Sequence, residues 1–229
     1  MEAFANTAAL LGDPARAAML LSLMGGVALP AGELAHIANI APQTASGHLA
    51  KLLEGRLLSV ELQGRHRYYR LASPRVADAL ESLLVLTHRP QPRSAPQPTV
   101  AKPGTLAYAR TCYAHTAGWI GVQIVASLQQ QSLLKPTAAR TFKITPAGQA
   151  WFEALGIDLP STPRAREASA RRCLDWTERK HHLAGPLGCA LYRRLRELEW
   201  LAPMRDTRAL RVTLRGKRGL WDSLRIPIE

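Results

Sequence analysis

No stretch of about eighteen consecutive apolar residues occurs in this chain, so nothing in it reads as a membrane-spanning helix. Its opening, MEAFANTAALLGDPARAA, carries an acid where a secretory leader would carry basic side chains, and a cytoplasmic protein is expected. Cysteine is scarce: Cys112, Cys173 and Cys189 are odd in number and too few to staple 229 residues, which excludes a disulfide framework and leaves thiol or metal chemistry open. The cysteines are accompanied by no nucleophile elbow, no phosphate-cradling glycine loop and no paired carboxylates. A Cys-dependent enzyme is therefore the weaker alternative, and a non-enzymatic protein is expected. Acidic residues are also few, 17 against 30 Lys and Arg, for a formal net charge of +13 that suits a polyanionic partner.

The positive charge is unevenly spread. Residues 1–90 hold 8 basic against 7 acidic side chains, whereas residues 91–229 hold 22 against 10. Between the two regions, residues 90–103 (PQPRSAPQPTVAKP) contain five prolines and almost no large apolar side chain, the composition of an extended, semi-rigid linker. The domains expected are 1–89 and 104–229, and the 47% hydrophobic content is enough for two modest cores.

In the first region, GDPARAAMLLSLMGG begins with Asp13 as a helix cap and Pro14 at the first helical position, and ends on Gly25-Gly26. GELAHIA (32–38) is a second short helix. After the turn NIAP, QTASGHLAKLLEG (43–55) spaces Ala45, Leu49, Leu52 and Leu53 by threes and fours, leaving Gln43, Thr44, Ser46, His48 and Lys51 on other faces. LLSVEL and RHRYYRL alternate around Gln63-Gly64 as a hairpin, and SPRVADALESLLVLTH (73–88) closes the segment as a helix. Helix, helix, turn, helix, hairpin, helix is the order of a winged helix-turn-helix.

That order, with LLGDPARAAMLL, GELAHIANIAPQTASGHLAKLLEGRLL and GRHRYYRLASP, resembles the ArsR/SmtB family of bacterial repressors over about 80 residues. The resemblance implies a homodimer joined through its first and last helices, with residues 43–51 in the major groove of an operator. On that reading Gln43, Thr44, Ser46 and His48 read bases, Lys51 meets phosphate, and Arg65, His66 and Arg67 hold the wing to the DNA backbone or minor groove. Two departures stand out. Ala41 occupies a position where the family usually places a capping Ser or Thr, and Gly47 one where it tends to place Arg. The family's Cys-x-Cys metal pair is missing from GELAHIANI. Sensing must lie elsewhere or be absent.

The region after the linker repeats a plan. HLAKLLEGRLLS (48–59), IVASLQQQSLLK (124–135) and LYRRLRELEWLA (191–202) align Leu52, Leu128 and Leu195, and each continues into a β-like run and a helix. HTAGWIG (115–121) likewise matches HLAGPLG (182–188), placing His115 over His182, Gly118 over Gly185 and Gly121 over Gly188. Glycines three apart in a helix need close backbone packing as compensation, and the simplest partner for each such helix is the other. The fold class expected is mainly α with small β-hairpin wings: a winged helix-turn-helix followed by a pseudo-symmetric, winged-helix-like domain of two repeats, 104–158 and 170–226.

Crossing helices of this kind would bring their histidines and preceding cysteines together. Cys112 and His115, at i and i+3, share a face if that segment is helical. Cys173 with His181 or His182 supplies the other half, and two sulfurs with two nitrogens suit tetrahedral zinc, cadmium or another borderline-soft ion, with copper(I) open to a thiolate-rich subset. Asp175 and Glu178 can orient the histidines or ligate. Longer ArsR-type chains look alike in the CYxHxAG and CLDW…HLAG segments, which implies a shared site without naming its ligand. A redox-sensitive thiol, an organic effector and plain structural packing stay open as alternatives. The function expected is a sequence-specific DNA-binding regulator, a repressor released by a metal or other small effector. The Arg-rich segment 164–218 is expected to add phosphate contacts through Arg208, Arg211 and Arg215.

Overall fold

In the computed structural model, residues 1–64, 66–87, 101–205 and 207–228 are described. The expected linker, for residues 90–100, and Arg65 lie outside them. The chain divides into two compact units, Met1–Leu80 and Glu81–Glu229. Among the described residues, no helix is long and apolar enough to cross a membrane.

The first unit opens with α1 (Glu2–Leu11), which the sequence reading did not anticipate, and α2 (Pro14–Ser22), capped by Asp13 accepting from the Arg16 amide. A short strand β1 (Leu29–Pro30) leads to α3 (Ala31–Ile37) and α4 (Pro42–Glu54), and the wing is β2 (Leu58–Gln63) with β3 (His66–Leu71). The three strands form one antiparallel sheet in the order β1-β3-β2. At two residues with a proline, β1 carries too little alternation to be read from sequence. Met19, Leu20, Leu23, Leu34, Leu49 and Leu52 make the core beneath the helices. Helix α5 (Pro74–Thr87) follows the wing.

The second unit runs β4 (Arg110–Cys112), β5 (His115–Ala117), α6 (Gly118–Gln130), β6 (Leu134–Pro136), β7 (Phe142–Ile144) and α7 (Pro146–Ala154). After α8 (Pro163–Ser169) comes β8 (Arg171–Leu174), β9 (His181–Ala184), α9 (Gly185–Glu197), β10 (Leu201–Pro203), β11 (Leu210–Val212) and α10 (Leu214–Leu224). The order hairpin, helix, hairpin, helix thus occurs on either side of α8. One hydrophobic core joins them, with Ile120, Ile124, Leu128, Phe142 and Phe152 packed in the same cluster as Leu187, Leu191, Leu195, Leu210 and Leu220.

The three sequence stretches that align share a physical ending. Leu52, Leu128 and Leu195 are fully buried, and the carbonyl of each accepts from the amide five residues on, at Leu57, Leu133 and Trp200. The residue between is left-handed in every case: Arg56, Ser132 and Glu199 have φ of 55, 57 and 57°. This is the terminating turn that ties off a helix's last carbonyls, here made without glycine. Helices α7 and α10 begin alike too, with Thr145 and Thr213 accepting from the amides of Gly148 and Gly216.

One expectation is corrected. HTAGWIG and HLAGPLG are not helical throughout: His115–Ala117 and His181–Ala184 are strands, and the helices start at Gly118 and Gly185. Those glycines have φ of +78 and +75°, which L side chains resist, so each strand turns sharply into its helix. The inner glycines do not bring helix onto helix either. Instead α6 packs on β9 and α9 on β5. A Cβ on Gly121 would come within 3.5 Å of the His182 Cβ, and one on Gly188 within 3.3 Å of the His115 Cβ. Each glycine makes room for the other half's histidine.

Candidate metal centre and DNA-reading surface

Two hairpins build a buried cluster. Cys112 and His115 are cross-strand partners flanking a two-residue turn whose Tyr113 is left-handed, with φ 56°. Cys173 and His182 are cross-strand partners in β8 and β9. Strand pairing therefore does what a helical i, i+3 spacing was expected to do. The four donor atoms lie within 4.8 Å of one another. Sγ of Cys112 is 4.0 Å from Sγ of Cys173, and the Nε2 atoms of His115 and His182 face each other at 3.0 Å. Cys112, His115 and His182 are buried, and Cys173 is partly so.

His181 is not part of the cluster. Side chains alternate along a strand, so adjacent His181 and His182 project to opposite faces. The His181 Nδ1 lies 3.2 Å from the Arg172 guanidinium, and partial burial followed by that cation keeps its imidazole less basic than usual.

The electrostatics favour ligation. Burial pushes the Cys112 thiol well above its ordinary value, while the contact with Cys112, reinforced by His115 and His182, pulls Cys173 down, so the two thiols are driven in opposite directions. Burial lowers the His115 value, leaving a neutral imidazole of the kind that ligates. A buried acid supports the cluster from behind. Asp175 Oδ2 accepts from the Gly118 amide at 2.7 Å and from Arg110 Nη2 at 3.0 Å, and lies 3.4 Å from His182 Nδ1. That last contact is in ion-pair range but not aligned as a hydrogen bond, and Nδ1 has no hydrogen-bond partner among the described residues.

Asp175 Oδ1 accepts from the Thr177 amide and hydroxyl and from the Glu178 amide. Burial alone would raise the Asp175 value, but Arg110 and His182 outweigh it and hold the carboxyl below the usual range. With its oxygens so engaged, Asp175 stays outside the four-residue Cys/His group. Arg110, fully buried, also donates to the Leu106 carbonyl and lies over the Trp176 ring at 4.6 Å. The tie between Arg110 and Asp175 joins residues 65 positions apart and was not foreseen from the sequence. The Asp-x-Thr spacing of 175–177, a local turn signal, was the available clue.

On α4, Gln43, Thr44, Ser46 and Lys51 are exposed, as are His66 and Arg67 on β3. Ser46 Oγ donates back to the Pro42 carbonyl at 3.0 Å. His48 departs from its expected base-reading role: its side chain is 17% exposed, and Nδ1 lies 3.3 Å from Arg16 Nη1 and 3.8 Å from Asp13 Oδ1. It joins α4 to the start of α2. Ala41 provides no side-chain cap, and a Cβ on Gly47 would meet nothing within 4 Å. Arg208 is also turned inward, donating to Glu81 Oε1 at 3.2 Å and to the Thr111 carbonyl at 3.3 Å.

A family profile described as a helix-turn-helix domain matches residues 11–61. The HTH-type transcriptional regulator YdfF of Bacillus subtilis (strain 168) is 48% identical over 224 residues, covering 98% of each chain. Among solved structures, the homodimeric winged helix-turn-helix DNA-binding domain of Mb0332 from Mycobacterium bovis, described as a possible ArsR-family regulator, is 25% identical over 37% of this chain and 78% of its own, with a TM-score of 0.35. The transcriptional repressor BigR of Xylella fastidiosa is 23% identical over 38% of this chain and 88% of its own, with a TM-score of 0.35. With an end-to-end relative at that identity and a recognition helix and wing in place, the chain belongs to the winged helix-turn-helix transcriptional regulators.

Proposed function

We propose that the protein is a homodimeric, operator-specific repressor whose affinity for duplex DNA is set by a metal ion held between the two hairpins of its second unit. In the first unit, Gln43, Thr44 and Ser46 read base edges, Lys51 meets phosphate, and the wing is held to the backbone by His66, Arg67 and, on the sequence reading, Arg65. His48 instead braces α4 on α2 through Arg16 and Asp13. A dimer through the outer helices is supported by apolar side chains left exposed there, Phe4 on α1 at 78% and Leu86 on α5 at 78%.

The observation that carries the sensing role is the convergence of Cys112, His115, Cys173 and His182. Two sulfurs and two imidazoles at this separation suit a tetrahedral ion such as zinc or cadmium. On this reading Asp175 Oδ2, 3.4 Å from His182 Nδ1, accepts the Nδ1–H once the ring realigns and leaves Nε2 for the metal. An ion held by these four residues would replace the thiol proton of Cys112, which would leave to solvent, and would relieve the facing of two ring nitrogens at 3.0 Å. The repeated hairpin, helix, hairpin, helix order and its matching caps support a pseudo-symmetric second domain with this site between its halves. An ion held there ties the halves together. A coupling of about 1–3 kcal/mol to DNA affinity is the usual scale for such a switch.

The test is metal content and promoter affinity measured together on full-length protein. One bound zinc, cadmium or cobalt per chain, lost in Cys112→Ser and accompanied by release of the protein's own promoter fragment, is the expected result. Protein that takes up none of these ions and keeps its DNA affinity in their presence refutes metal sensing. In that case, DNA release by peroxide, reversed by a thiol reductant and absent in Cys112→Ser, would favour the redox reading, for which the 4.0 Å sulfur separation is the supporting observation.

A further inference from the structure

The first unit, which carries the recognition helix, has almost no net charge, while the excess of basic residues lies beyond it. Part of that excess is gathered by the fold into one groove of about 660 Å³, where Arg196, Arg211, Arg215 and Lys217 surround a single acid, Glu199. We propose that this groove binds the sugar-phosphate backbone of duplex DNA, making the second unit a DNA-contacting unit in its own right. The inference is independent of the metal site.

Three elements supply the cations: Arg196 the last turn of α9, Arg211 the middle of β11, and Arg215 and Lys217 the first turn of α10. The α10 start also contributes the positive end of its dipole. The wall is rigid. A Cβ on Gly216 would collide with the Trp200 carbonyl and one on Gly219 with the Trp200 ring, so α10 is pressed against the end of α9. Glu199 is engaged by Arg215 at 2.7 Å, and among the described residues no ion pair involves Arg196, Arg211 or Lys217.

A small anion would be recognised by buried donors converging on one point. Here the four cations are exposed or half-exposed and spread along an open groove, the arrangement that matches repeating charge. Leu214, 79% exposed at the lip, offers apolar contact of the kind a deoxyribose edge accepts. Arg208, expected from the sequence to share this role, is withdrawn by Glu81, which leaves Arg211 and Arg215 from that set.

The test is a salt titration of affinity for the promoter fragment and for an unrelated duplex, using full-length protein between about 50 and 300 mM salt. Replacing Arg196, Arg211, Arg215 and Lys217 together by Gln is expected to lower the salt exponent by about 2 to 4 and weaken both duplexes by at least about tenfold, leaving their affinity ratio unchanged. Glu199→Gln, which releases Arg215, should tighten both. Circular dichroism matching the parent verifies folding of these surface variants. An unchanged salt exponent overturns the proposal. So does protection of the parent, but not the variant, by inorganic phosphate or an acidic polypeptide with DNA binding unaltered, which would assign the groove to a small anion or a protein.

Discussion

The two units bury different things. Among the described residues, all nine buried polar or charged side chains, from Glu81 through Arg110, His115 and Asp175 to His182, lie in the second unit, whereas the buried side chains of the first are hydrophobic. A winged helix that reads DNA keeps its polar groups outside, so its core can be a plain apolar scaffold holding α4 and the wing in place. The second unit accepts the desolvation of an Arg, two acids and two histidines, which is tolerable only where each is paired or hydrogen-bonded. That arrangement is what the proposed metal site draws on. Net charge runs the same way, near balance in the first region and strongly basic in the second.

The largest effect that would test this contrast is removal of Asp175. Asp175→Ala leaves Arg110 buried without its main partner, and a loss of about 3–5 kcal/mol is expected. All five tryptophans, at 119, 151, 176, 200 and 221, lie in the second unit, so denaturant unfolding followed by tryptophan fluorescence reports on that unit alone. A loss under about 1 kcal/mol would mean the buried pair is not what holds it together.

One substitution should act in opposite directions in the two units. Gly121→Ala drives a Cβ to 2.5 Å from the Thr116 carbonyl oxygen and towards His182, and should cost about 1–3 kcal/mol together with cobalt binding at the cluster. Gly47→Ala meets open space on α4 and should stabilise the first unit by up to about 1 kcal/mol, read by far-UV circular dichroism. Equal signs would break the contrast. Smaller still are the caps. Thr145→Ala deletes the bond to the Gly148 amide and should cost about 1 kcal/mol, and Ala41→Ser, which supplies the cap α4 lacks, should return a similar amount in the first unit. Both are measurable as shifts in denaturation midpoint.

Legibility followed the range of the interaction. The helices α2, α4 and α5 could be read because caps, prolines and three-to-four spacings act within a few residues, as could the wing, where alternation meets Gly64. Helix α1 was missed: it buries no side chain, so no face of it needs to be apolar. The short hairpins at 110–117 and 171–184 were also missed as strands, because three or four residues carry too little alternation and their turns use Tyr113 and Arg179 rather than glycine in the left-handed conformation.

From the sequence alone came a DNA-reading helix and wing, a basic second half, and the pairing of two Cys/His segments through their shared glycines, since composition and local spacing are properties of the chain itself. Tertiary structure decided which histidine of the 181–182 pair joins the cluster, which arginines stay outside, and that Asp175 stands behind His182. Those outcomes depend on strand facing and on contacts between residues 65 to 127 positions apart, and no local preference encodes them.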